Sequence, residues 1–205
     1  MKKSICVILT IIFFTSLNSY GQQKYKVVNR QLTSGDAGSV HLSEAAGAGI
    51  AWINGKQFTR GAIEFDVKGR DKFQASFVGI AFHGVNDSTY ECVYFRPFNF
   101  RAADPERKGH AVQYIALPGY DWPKLRAGFP NKYEQPITPA PDPDAWLHVR
   151  IEVSDKLIAV YVNHSAVPSL KVSPLVNLQG KMIGCWAGNG SGGDWENIRL
   201  IPAGE

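Results

Sequence analysis

His83, Tyr94 and Arg96 are the side chains whose types and spacing best suit chemistry on a polar ligand. They lie between Phe77 and Phe100, where two apolar, aromatic-rich runs flank Gly84-Val85-Asn86-Asp87-Ser88. That pentad is turn chemistry, so the stretch predicts a hairpin. Side chains alternate between the two faces of a strand. The first run then places Val78, Ile80 and Phe82 opposite Phe77, Gly79, Ala81 and His83, and the second places Glu91, Val93 and Phe95 opposite Tyr90, Cys92, Tyr94 and Arg96. Each strand has one apolar face fit for a core. The other face is small in the middle and carries the polar groups toward its end. Arg offers a planar fork of donors for vicinal hydroxyls or a carboxylate. His relays a proton near neutral pH, which makes His83 the acid/base candidate. Tyr presents an apolar ring face and a polar tip. The competing reading is plainer: each is an exposed strand residue, and Arg96, just before Pro97, braces the following loop.

Other candidates extend this site. Gln113 or Tyr114 joins it, according to which face of their strand is turned the same way. Trp122, beside Asp121 and Lys124, is either a stacking platform for a sugar ring or an anchor that pins a loop to the core. Glu134 is a candidate carboxylate for the rim. Glu91 shares its face with Val93 and Phe95, which points it inward. Glu64 and Asp66 sit two apart, as paired catalytic carboxylates would, yet their strand alternates cleanly and reads as the solvent face of an outer strand. His148, Arg150 and Glu152 likewise read as a solvated face. The Gly188–Gly193 run lacks the Lys-Ser/Thr of a phosphate cradle and reads as a loop. No Cys/His cluster has metal-ligand spacing, no pattern supports calcium at loop carboxylates such as Asp194, and no cofactor motif occurs. Gly-x-Ser-x-Gly is absent, which leaves a serine triad without its usual elbow.

The chain begins Met1-Lys2-Lys3, then an apolar run from Ile5 to Phe14, then Ser19-Tyr20-Gly21, with small residues where a signal peptidase needs them. This predicts an export signal over residues 1–21, and a single domain over residues 22–205 that is secreted or periplasmic. The apolar run is short for a membrane span, so membrane insertion after cleavage is not expected. Losing Lys2 and Lys3 lowers the formal net charge from +4 to +2. That is too near neutrality to indicate nucleic acid as a partner. Cleavage also leaves Cys92 and Cys185. An exported pair is a disulfide candidate, but both lie in apolar strand patterns where free cysteines are common.

Short strand patterns fill the rest: Gly61 to Val67, His110 to Leu117, Trp146 to Val153 paired with Leu157 to Asn163, Lys181 to Ala187, and Trp195 to Ile201. Arg101 to Gly109 reads as charged loop. Pro118 to Ala145 holds seven of the twelve prolines and reads as a long, aromatic loop packed over the sheet edge. No amphipathic helix of length is visible. Many short strands separated by turn signals predict an all-β antiparallel two-sheet β-sandwich, or jelly roll.

In order and content, the stretches Gly61–Lys68, Phe77–His83, Tyr90–Phe98, Trp146–Asn163 and Gly180–Ile198 resemble the concanavalin A-like lectin/glucanase superfamily. Within it they look most like the laminin G-like and 3-keto-disaccharide hydrolase (family 16-like) domains of exported bacterial proteins. The resemblance implies a sandwich whose concave groove binds an oligosaccharide or polysaccharide, and it favours Gln113 as the groove residue of its strand. It implies a glycoside (3-keto-disaccharide-like) hydrolase with His83 as acid/base and Tyr94, Arg96, Gln113, Trp122 and Glu134 binding substrate. The alternative is a non-catalytic, lectin-like module using the same residues. Glu64-Phe65-Asp66-Val67-Lys68-Gly69 lacks the second Glu of the family 16 glucanase signature, so that retaining mechanism does not carry over.

Overall fold

The computed structural model describes residues 24–34 and 39–204, so the expected export signal lies outside the described residues. Two seven-stranded sheets make up the fold. The first runs, in spatial order, β1 (Tyr25–Val28), β4 (Gly49–Ile53), β13 (Met182–Ala187), β6 (Val78–Asn86), β7 (Thr89–Phe95), β8 (Val112–Leu117) and β9 (Glu134–Gln135). The second runs β12 (Leu170–Val172), β11 (Ile158–Val162), β10 (Leu147–Val153), β5 (Gly61–Lys68), β14 (Gly193–Pro202), β3 (Val40–Leu42) and β2 (Leu32–Ser34). Neighbouring strands pair antiparallel throughout. The chain is an antiparallel β-sandwich, as expected.

Register in the second sheet follows the alternation of the sequence. Ile63, Phe65 and Val67 of β5 lie opposite Ile151, Val149 and Leu147 of β10, all buried. Full burial of side chains of this size stabilises by about 1.5–3 kcal/mol each, before the entropy of ordering them. The opposite face is an ionic ladder: Arg150 donates to Glu64 at 2.6 Å, and His148 meets Asp66 at 2.7 Å. Glu64 and Asp66 therefore sit on a solvated outer face.

In the first sheet the cross-strand pairs Val78–Phe95, Ile80–Val93, Val93–Tyr114 and Phe95–Val112 share one face. A Cβ built on Gly193 of β14 would lie 2.6 Å from Val78 Cγ1, so this face is the one packed on the second sheet. Gly79, Tyr94, Gln113, Trp186, Cys92 and Ile115 belong to the opposite, open face.

Two expectations need correction. Arg101 to Gly109 is not all loop: α1 (Pro97–Phe100) and α2 (Pro105–Gly109) flank its start and its end. The stretch from Pro118 to Ala145 contains α3 (Trp122–Gly128) and β9. Both α2 and α3 open on an aspartate, Asp104 or Asp121, whose carboxylate caps the first turn, followed at once or one residue later by proline. That is a local helix-start signal on turns too short to show periodicity. Cys92 and Cys185 are free and buried; they lie on opposite faces of the first sheet.

Candidate functional site

A cleft of about 620 Å³ lies over the open face of the first sheet. Three smaller depressions elsewhere measure about 340, 310 and 370 Å³. Its floor is aromatic. Trp186 of β13 and Tyr94 of β7 flank Gly79 of β6 across the sheet, and with no side chain between them their rings approach to 4.9 Å between centroids. A Cβ on Gly79 would come within 2.1 Å of the Val93 carbonyl oxygen, so no larger residue fits there without movement. The Trp186 indole donates to Tyr90 Oη at 3.0 Å, which fixes its plane. Phe77, Phe98, Ile115 and Leu117 complete the apolar lining.

The walls come from the short helices. Trp122, at the first turn of α3, is 47% exposed, and Phe73, in the loop before β6, is 59% exposed. Each carries a stacked guanidinium: Arg126 lies 5.0 Å from the Trp122 ring centroid and Arg107 lies 4.4 Å from that of Phe73.

The polar end of the cleft is built on Arg96. Its Nη2 donates to Tyr94 Oη at 2.6 Å and to Gln113 Oε1, and its Nη1 donates to the His110 carbonyl at 3.0 Å. Tyr94 Oη in turn donates to Gln113 Oε1 at 2.9 Å. Burial lowers the Arg96 pKa and pushes the Tyr94 phenol up to about 12, so the phenol is neutral near pH 7. Gln113 Nε2 is the one buried side-chain nitrogen or oxygen without a partner among the described residues. Behind Arg96 sits Glu134 of β9, 2% exposed. It accepts from Arg126 Nε and Nη2 at 2.7 Å each, lies 3.6 Å from Arg96 Nη1 and 3.4 Å from His110 Nε2. The hydrogen bond to Glu134 raises the Arg126 pKa. Burial lowers that of His110, which lines the cleft as a neutral imidazole near pH 7.

The sequence-predicted residues are thus only partly gathered. Tyr94, Arg96 and Trp122 line the cleft, and Gln113, fully buried, accepts from Tyr94 and Arg96 beneath it. Glu134 touches its arginines from behind and is not at the rim. His83 is elsewhere. The β6–β7 register shifts between Phe82 and Asn86, and His83 has φ +50°, a bulge that cancels the alternation on which its placement rested. It turns to the Glu91 side, where Nδ1 meets Glu91 Oε2 at 2.6 Å and Nε2 meets the Thr59 carbonyl at 2.7 Å. Facing an acceptor at each nitrogen, the ring is satisfied as the imidazolium. Burial alone would lower its pKa, but the bonds to Glu91 and Thr59 and the nearby carboxylates outweigh burial and raise it. Tyr114 donates to the other Glu91 oxygen and accepts from the Leu175 amide at 3.2 Å.

His110, Arg107, Arg126 and Trp186 are contributors that the sequence reading missed. Trp186 was readable, since it shares a face with Gly184 along β13. Arg107 and Arg126 follow Asp-Pro and Asp-Trp-Pro helix starts, a signal of where a turn begins and not of what it faces.

No protein-family model and no curated protein matches the chain. Among solved structures, the carbohydrate binding module CBM66 from Bacillus subtilis superposes with a TM-score of 0.59 at 12% identity, covering 85% of this chain and 93% of that one. The Bacillus licheniformis β-glucanase gives 0.56 at 10% identity, covering 91% and 95%. The exoplasmic/lumenal domain of VIP36, in its Ca2+/Man3GlcNAc-bound form, gives 0.51 at 10% identity, covering 90% and 88%. At such identities the likeness is one of fold: the chain is a jelly-roll sandwich like theirs.

Proposed function

We propose that this is an exported carbohydrate-binding protein that holds a sugar in the cleft over the first sheet and does not cleave it. The observation that carries this reading is the pairing of an aromatic floor, Tyr94 with Trp186, and an exposed aromatic wall, Trp122, with donors from Arg96, Arg107 and Arg126. A pyranose ring has an apolar C–H face that packs on such rings and hydroxyls that need such donors. A cleft of about 620 Å³ is of the size that buries a small ligand. Jelly-roll neighbours that include a carbohydrate binding module and a lectin-type domain with bound Man3GlcNAc support it.

Binding is favoured over hydrolysis because Asp121 is the one carboxylate among the described residues that line the cleft. Ordinary glycoside hydrolysis uses two, and Glu134 is committed to Arg126. A second reading draws on His110. A 3-keto sugar has an acidic C–H beside its ketone, so one base can take that proton as the glycosidic oxygen leaves, return it to the departing alcohol, and let water add across the new double bond to complete hydrolysis. Among the described residues His110 is the imidazole that lines the cleft. The β-glucanase neighbour keeps hydrolase chemistry in view.

The deciding experiment is a glycan array followed by calorimetry with plant and algal oligosaccharides, with product analysis on the same mixtures. Binding that Trp122→Ala weakens, with no product formed, is the expected result. Product release that His110→Ala abolishes would replace the binding reading with the hydrolytic one. No sugar bound at all would sink both.

A further inference from the structure

The guanidinium groups of the cleft are under-compensated, and their disposition says what kind of sugar the site takes. Elsewhere on the surface each arginine tends to meet a carboxylate: Arg60 pairs with Asp155, Arg70 with Glu44, Arg101 with Asp142 and Arg150 with Glu64. Arg30 meets no carboxylate among the described residues but donates to the backbone carbonyls of Asn29, Gly47, Ala187, Gly188 and Ser191. Arg107 differs from both. It makes two hydrogen bonds, to Asn99 Oδ1 at 3.4 Å and to the Phe98 carbonyl at 3.0 Å, and no carboxylate is within ion-pair distance among the described residues. Arg96 and Arg126 share a single carboxylate, Glu134, which also faces His110. Asp121, the acidic residue on the lining, caps the α3 turn through the Lys124 amide at 3.4 Å.

Stacking on an aromatic face holds a guanidinium plane still while leaving its edge to meet a planar anion through two parallel bonds. Arg107 on Phe73 and Arg126 on Trp122 are both held this way, on elements that wall the same cleft. We propose that the sugar recognised here carries an anionic substituent, a uronate carboxylate or a sulfate ester, and that Arg107 is the group that selects it. The inference rests on the sugar-binding reading above and adds the charge of the ligand.

The test is calorimetry of the full chain with oligogalacturonates, oligomannuronates and oligoglucuronans, each beside its carboxyl-reduced neutral counterpart, and with κ-carrageenan oligosaccharides beside desulfated ones. At least one acidic member binds about tenfold or more tightly than its neutral counterpart, the gain of one charge-assisted hydrogen bond, and raising the salt erodes the difference. The uronate and sulfate arms show which anion it is. In Arg107→Gln the acidic-to-neutral affinity ratio falls about tenfold; Arg107→Lys, which keeps the charge and loses the fork, recovers part of it. Circular dichroism checks that both variants are folded. Neutral sugars binding as well as acidic ones would overturn this inference and leave sugar binding standing. If neither kind binds, both readings fall.

Discussion

Arg126 and Glu134 meet through two parallel 2.7 Å hydrogen bonds, Nε to Oε1 and Nη2 to Oε2, and this pair joins the α3 turn to the edge of the first sheet. Glu134 is almost fully buried, whereas the Arg126 side chain is 33% exposed. In Glu134→Gln the neutral amide leaves Arg96 and Arg126 facing each other without a carboxylate between them. The expected loss is about 2–3 kcal/mol, below the roughly 3–5 of a fully buried broken pair because Arg126 reaches solvent. Urea denaturation of the two proteins measures it.

The His83–Glu91 pair makes stability depend on pH with a definite sign. The folded-state pKa of His83 is raised, so its contribution is complete below the unfolded value of about 6.5 and is lost as pH rises through the folded value. His110 has the opposite sign: its lowered pKa favours the neutral ring, and stability is lost as pH falls from about 6.5 through the folded value. Unfolding free energies between about pH 5 and 9 should therefore fall at the alkaline side in the wild type and not in His83→Gln. They should fall at the acid side in the wild type and less in His110→Gln. Parallel curves for the wild type and His83→Gln would show that the imidazolium is not held as described.

Trp122 projects from the α3 turn, 47% exposed, with the Arg126 guanidinium 5.0 Å from its ring centroid. Trp122→Ala should leave the unfolding free energy within about 0.5–1 kcal/mol of wild type. The same substitution should weaken sugar binding by about tenfold, on the order of the stacking energy of one aromatic face. A large drop in melting temperature would instead make Trp122 the loop anchor that the sequence also allowed.

Gly79 supports the floor by having no side chain. Gly79→Val should destabilise by about 1–3 kcal/mol or more through overpacking, because the new Cβ meets the Val93 carbonyl at 2.1 Å. It should also push Tyr94 and Trp186 apart, which near-ultraviolet circular dichroism of the aromatic bands reports.

Cys92 and Cys185 are free, and burial raises both thiol pKa values. Neither should react with an aromatic disulfide reagent in the native protein, and both should react in urea. A mature chain that shows no titratable thiols in urea would mean a disulfide instead.

The site was legible where the backbone stays regular. Alternation along β7 is enough to put Tyr94 on one face and Glu91 on the other, because a strand without a bulge keeps its period of two. Along β8 it separates Gln113 from Tyr114 without saying which faces the cleft, and only the family resemblance favoured Gln113. His83 lies immediately before the predicted Gly84–Ser88 turn, and one bulge between Phe82 and Asn86 moved it to the other face; Gly84, which can mark a bulge, reads in the sequence as the first residue of the turn. The sandwich itself followed from β5 and β10, whose apolar alternation is strict. The rest was illegible for a different reason. Arg107 and Arg126 reach the cleft from turns of five and seven residues, and Glu134 backs Arg126 from a strand of two; these are too short to carry any period, and their placement is a fact of tertiary packing.

The outermost strands carry one more consequence. The first sheet ends in β9, two residues long, and β1, four; the second ends in β12 and β2, three residues each. Pro136 follows β9 directly. Exposed ladder ends this brief give an incoming chain few backbone groups to align with, so a fold that is nearly all strand is protected from growing sideways into aggregates.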